Sequence, residues 1–174
     1  MTQGIERVVT CETRLGEGVL WCGREKRLWW VDVLAGSVHE WTQGQGHRIY
    51  QTGFHRIGSL ALRQQGGLLL ATGRGLHAWN PESNATTMLA NPEADKPTHS
   101  FNDGRCDRAG RFWVGSMDDT QLAPVGALYR VGGGLEIDRM EQDIIIPNAI
   151  AFSPDDRTLY FADTRQYVIK KANG

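Results

Sequence analysis

Apolar residues fall along the chain in short bursts, and no stretch keeps the three-to-four spacing of a capped helix. Four bursts are alike: Leu28-Trp29-Trp30-Val31-Asp32-Val33, Leu68-Leu69-Leu70-Ala71-Thr72-Gly73, Arg111-Phe112-Trp113-Val114-Gly115-Ser116 and Leu159-Tyr160-Phe161-Ala162-Asp163-Thr164. Each is short, aromatic or aliphatic and bounded by turn residues, the pattern of a buried strand. They begin 40, 43 and 48 residues apart, and strands recurring at a period in the forties mark propeller blades. Before each burst lie another apolar stretch and a turn, as in Gly58-Ser59-Leu60-Ala61-Leu62 followed by Arg63-Gln64-Gln65-Gly66-Gly67. After each comes a third strand, such as Leu76-His77-Ala78-Trp79, and in the first three units a weaker fourth, such as His47-Arg48-Ile49-Tyr50. The unit is a four-stranded antiparallel meander, and the fold class is all-β. The blades span approximately 15–55, 56–98, 99–145 and 146–174 of a single domain covering 1–174. Asn91-Pro92-Glu93-Ala94-Asp95-Lys96-Pro97-Thr98 is polar and Pro-rich and reads as the loop between the second and third blades. The six tryptophans are expected to fill the gaps between blades.

Composition narrows the picture. Gly supplies 21 of 174 residues, well above the usual ~7%, in keeping with many tight turns. A net charge of −1, from 19 basic and 20 acidic residues, gives no electrostatic footprint for nucleic acid or an anionic membrane. No apolar run approaches the ~18–20 residues of a membrane span. Met1 to Arg7 has no signal-peptide pattern, and the three cysteines, Cys11, Cys22 and Cys106, lack metal-site spacing, so a cytoplasmic, reduced setting is expected.

The repeat aligns particular side chains. A blade's first strand lies nearest the propeller axis, so matching positions on first strands converge at one mouth. Four residues before Trp21, Ala61, Cys106 and Phe152 stand Glu17, Ile57, Asn102 and Asn148. A carboxylate and two carboxamides aimed at one axis suit a hard cation such as Ca²⁺ or Mg²⁺. Each also has a plainer reading: Glu17 between glycines as a solvated turn residue, Asn102-Asp103-Gly104 as a turn, and Asn148 as the opening of a strand. Other motifs carry less. Gly73-Arg74-Gly75 is followed too soon by Asn80-Pro81 to open a nucleotide-binding helix. Ser116 lacks a nucleophile elbow and reads as structural. His39, His47, His55, His77 and His99 show no short metal-binding spacing, which argues against a structural zinc site. Arg130, Lys170 and Lys171 read as solvated.

Four stretches together resemble the SMP-30/gluconolactonase/LRE family: Leu15-Gly16-Glu17-Gly18-Val19-Leu20-Trp21, Arg27 to Asp32, Phe101 to Met117, and Pro147-Asn148-Ala149-Ile150-Ala151-Phe152-Ser153-Pro154-Asp155. The resemblance implies a six-bladed propeller with one divalent metal ion (Ca, Zn, Mg or Mn) at the channel mouth. It implies Glu17 and Asn148 as metal ligands and Asn102 and Asp103 as catalytic residues, with Asn102, Ser100 and Thr120 on the substrate side. The implied reaction is hydrolysis of a small-molecule sugar lactone to the aldonic acid; the alternative is a non-catalytic, divalent-cation-binding propeller. Ser100 stands where the family often has Arg, Val19 where it has Pro and Ala149 where it has Gly. The family's third ligand, an Asp in a later Pro-Asp-Gly motif and its expected base, would lie beyond Gly174. Six blades need on the order of 240–270 residues, so 174 residues are expected to supply about three and a half blades of an incomplete propeller. Ile5 to Cys11 is expected to be an outer strand closing the last blade.

Overall fold

The computed structural model describes residues 4–173. Four antiparallel sheets follow one another as propeller blades. Blade 1 holds β1 (Gly16–Cys22), β2 (Arg27–Asp32), β3 (Ser37–Thr42) and β4 (Gly46–Gln51). Blade 2 holds β5 (Ile57–Leu62), β6 (Leu68–Thr72), β7 (Gly75–Trp79) and β8 (Thr86–Ala90). Blade 3 holds β9 (His99–Cys106), β10 (Phe112–Asp118), β11 (Gly126–Val131) and β12 (Ile137–Ile144). Blade 4 holds β13 (Pro147–Phe152), β14 (Thr158–Asp163) and β15 (Val168–Asn173). Within each blade every strand pairs with the next in sequence. Among the described residues no helix is long and apolar enough to cross a membrane.

The Leu-Leu-Leu-Ala run of β6 is explained by its place between two other blades. Successive strand residues point to opposite faces. Leu68 and Leu70 join Trp29, Val31, Val38 and Trp79 between blades 1 and 2. Leu69 and Ala71 join Phe101, Phe112, Val114 and Tyr129 between blades 2 and 3. A third cluster, with Trp113, Leu128, Ile150 and Phe161, fills the gap between blades 3 and 4. Trp29 and Trp79 meet edge to face at 6.0 Å, so truncating either removes ~3–5 kcal/mol of packing. Trp21, by contrast, is 49% exposed and fills no gap.

Aspartates lock the strand ends. Asp32 accepts the backbone N–H groups of Arg14, Leu15 and Ala35 at 2.8, 3.1 and 3.2 Å. In blade 4, Asp163 accepts those of Ile145 and Ile146 at 2.7 and 3.1 Å. Each clamps the segment that leads into its own blade's inner strand, and burying a carboxylate is tolerated because these donors satisfy it.

Three expectations change. β9 begins at His99, so Asn102 and Asp103 lie within a strand, because a bulge absorbs the turn-like Asn-Asp pair. Ile5 to Cys11 forms no strand; no strand of the four sheets takes it as a partner. Arg130 is not simply solvated: it pairs with Asp138 at 2.7 Å and lies 5.8 Å from the Trp113 ring centre. Ser116 is structural as expected, its hydroxyl accepting the Ala127 N–H at 3.0 Å.

Candidate functional site

The inner strands β1, β5, β9 and β13 lie in sequence, blade against blade. Each carries one residue more than the strand it pairs with, near the same end: after Glu17, after Ile57, after Phe101 and after Asn148. Such bulges bend a strand and re-aim its side chains. The residues following Glu17 and Asn148, Gly18 and Ala149, take left-handed φ values of 66° and 55°. The count that aligned these positions is therefore right to within one residue, since Asn102 lies inside its bulge while Glu17 and Asn148 precede theirs.

Two glycines make the convergence possible. A Cβ on Gly58 would overlap the Phe101 carbonyl oxygen and crowd Asn102 Cα, and one on Gly115 would overlap the Pro147 ring. Their bareness lets β5 close on β9 and lets Pro147 close on β10, which brings Asn148 to Asn102.

Asn102, buried at 5% exposure, is the hub. Its Nδ2 donates to the Pro147 carbonyl at 2.9 Å and to Asn148 Oδ1 at 3.0 Å. Its Oδ1 accepts from Arg56 Nη2 at 3.0 Å. Asn148 Nδ2 donates to Thr164 Oγ1 at 2.9 Å. Asp103 accepts the Ile150 N–H at 2.9 Å and the N–H of Gly104 at 2.9 Å, so it fixes the turn of chain that follows Asn148.

Glu17 completes the group from blade 1. Burial first, then the neighbouring charge of Asp103, raise its carboxyl, and Arg56 offsets only part. No hydrogen bond to this carboxylate occurs among the described residues. Arg56, whose guanidinium is pulled down by burial and held up by Asp119 and Glu17, went unnoticed in the sequence. The available signal was its place beside Ile57, the apolar member of the aligned set. Its Nε and the Ser100 hydroxyl are buried polar atoms with no hydrogen-bond partner among the described residues. Ser100 is 2% exposed in β9. Thr120 is exposed and donates to Asp118; it makes no hydrogen bond to the Asn102 cluster, although its neighbour Asp119 lies close enough to act on Arg56. Glu17, Asn102, Asp103 and Asn148 are thus brought together, Ser100 lies buried in the same inner strand as Asn102, and Thr120 stands apart on a loop.

A propeller whose inner strands bring an acid, an arginine and two carboxamides to one end belongs to a limited class. The chain's residues 15–173 match the SMP-30/gluconolactonase/LRE-like region, and the chain belongs to that family. It is 32% identical over 169 residues to 6-deoxy-6-sulfogluconolactonase of Pseudomonas putida, covering 97% of this chain and 58% of that protein. It is 32% identical over 171 residues to regucalcin of Xenopus laevis, covering 95% of this chain and 57% of that one. The crystal structure of a calcium-binding protein, regucalcin, from Agrobacterium tumefaciens superposes with a TM-score of 0.86 at 29% identity, over 93% of this chain and 55% of that chain. The chain therefore spans somewhat more than half the length of these relatives.

Proposed function

We propose that the whole protein hydrolyses a sugar lactone to the aldonic acid, with one divalent cation at the axial mouth. One observation carries the reading: blades 1 to 4 each deliver polar groups there, namely Glu17, Arg56, Asn102 with Asp103, and Asn148. The names of relatives, a sulfogluconolactonase among them, support the substrate class.

The donor set fits a hard cation. Glu17 offers a carboxylate whose raised carboxyl marks a place where positive charge is favourable, and Asn148 offers a carboxamide oxygen, both oxygen ligands. When bound, such an ion polarises a carbonyl and acidifies water. The chain's residues do the rest. Asn102 holds the Asn148 carboxamide in place with one amide hydrogen and anchors itself to the Pro147 carbonyl with the other, while Asp103 is a positioning residue that fixes Ile150. Arg56 supplies from blade 2 the cation that Ser100 does not supply, and its free Nε and the Ser100 hydroxyl are set to bind lactone hydroxyls or carbonyl. Hydrolysis forms the bond from water oxygen to the carbonyl carbon and breaks the ring C–O bond. One water proton ends on the freed hydroxyl and the acid proton goes to solvent. The expected third ligand and base is an Asp in a Pro-Asp-Gly motif, which these 174 residues do not contain. The whole protein is read as a six-bladed, cytoplasmic propeller.

The regucalcin relatives favour a second reading, a cation binder without turnover. The test is pH-stat hydrolysis of D-glucono-1,5-lactone and related aldonolactones by the whole protein, with and without EDTA. Lactonase activity lost on chelation is expected; cation binding without turnover on any of these lactones would leave only the second reading.

A further inference from the structure

Away from the axis, blade 1 gathers a different set of donors. His39 on β3 and His47 on β4 lie on one face of the hairpin, two rows apart in register. His39 Nδ1 and His47 Nε2 face each other at 3.0 Å. His47 stacks on Trp30 and His39 lies tilted against it, each with ring centres 5.1 Å apart. Cys11 reaches over from the segment before β1, and one ligand atom from each of the three residues lies within 4.8 Å of the others. No short spacing in the sequence links them, because the hairpin turn and the chain's return, not a contiguous motif, bring them together.

We propose that Cys11, His39 and His47 form a second metal site, for a zinc-class divalent cation, which ties the segment before β1 to blade 1. The donor chemistry selects the ion: one thiolate and two imidazoles suit a borderline-soft cation, whereas Ca²⁺ and Mg²⁺ take oxygen. In a tetrahedral site the ligand atoms stand about 3.3–3.8 Å apart at ordinary Zn–N and Zn–S lengths, so the two imidazole nitrogens, 3.0 Å apart, have to open slightly and Cys11, on the unpaired segment, closes the site. His39 is pre-set. Its Nε2 is engaged by Ser37 Oγ at 3.1 Å, leaving Nδ1 as the ligand atom, the arrangement by which outer partners fix a ligating ring. On binding, the Cys11 thiol proton goes to solvent, and His47 carries its proton on Nδ1 so that Nε2 can ligate. A water completes four-coordination. Trp30, beneath both imidazoles, is 8% exposed although it faces away from blade 2.

The test is titration of the intact chain with Co²⁺. One equivalent should produce a thiolate-to-cobalt charge-transfer band in the near ultraviolet, absent in Cys11→Ser and retained in Asn148→Ala, which leaves these ligands untouched. His47→Gln should weaken cobalt binding by at least about tenfold, and Ser37→Ala by about tenfold. Cys11 is only partly buried, so its serine variant should keep the wild-type circular dichroism. In the wild type, Zn²⁺ should also slow tryptic cleavage after Arg7 and Arg14 at least fivefold, on the order of the smallest ligand effects, with no slowing in Cys11→Ser. Absence of the charge-transfer band in the wild type, or its persistence in Cys11→Ser, would overturn the site. Zn²⁺ binding without protection of Arg7 and Arg14 would overturn the tie to the segment before β1.

Discussion

Two carboxylates, one at the axial mouth and one in the loop between blades 2 and 3, are treated in opposite ways. Glu93, 4% exposed, accepts hydrogen bonds from Lys96 at 3.1 Å, His99 at 2.9 Å and the Tyr129 hydroxyl at 2.9 Å. Burial would push its carboxyl up, but His99, Tyr129 and Lys96 outweigh it and hold the carboxyl below its ordinary range. Glu17 has neither donors nor a lowered carboxyl. A buried carboxylate that the protein satisfies itself is held in its charged form, whereas one raised by burial and by a second acid favours a positive partner.

Substitutions can break this contrast. The largest effect is expected at the mouth. In the whole protein Glu17→Gln or Asn148→Ala should lower lactonase kcat/KM by at least about 1,000-fold, about 4 kcal/mol of transition-state stabilisation. In urea unfolding Glu17→Gln should leave stability unchanged or slightly raised. Glu93→Ala should do the reverse. It should cost about 3–5 kcal/mol of stability by stranding Tyr129, His99 and Lys96, with turnover per folded molecule retained. Equal stability losses at the two sites would end the distinction.

The pH dependence sharpens it. Because the Glu93 carboxyl is lowered in the folded state, its stabilisation is complete above the ordinary carboxyl value and disappears as pH falls through the lower folded value. The urea midpoint of the wild type should therefore fall more steeply in acid than that of Glu93→Gln. The smallest effect concerns the backbone beside the mouth. Ala149→Gly should stabilise the protein by about 1 kcal/mol, since a side chain at a left-handed φ costs roughly that much; a loss of stability in thermal unfolding would show that Ala149 makes a compensating contact.

The strands were legible because period-two burial and turn residues are local properties of the chain. Leu68-Leu69-Leu70-Ala71 announces a strand buried on both faces without any knowledge of its neighbours. Glu17 and Asn148 were legible because the repeat carries them to one axis. Glu93 was not, since its partners Tyr129 and His99 come from blade 3 and the surrounding Pro-rich stretch looks like solvent-exposed loop. Arg56 was missed for the same reason, its partner Asn102 lying 46 positions away. Asn102-Asp103-Gly104 looks like a turn because the residues that fit turns also fit bulges, and only pairing with β10 decides between them.

At the position just before the bulge, blades 2 and 3 carry the apolar Ile57 and Phe101 where blades 1 and 4 carry Glu17 and Asn148. Both apolar side chains are buried, Ile57 in the core beside Trp29 and Phe101 against Tyr129. In those two blades the polar groups come instead from the neighbouring residues, Arg56 and Asn102, which are tied to each other by a 3.0 Å hydrogen bond, so the charge of one blade is felt through the side chain of the next.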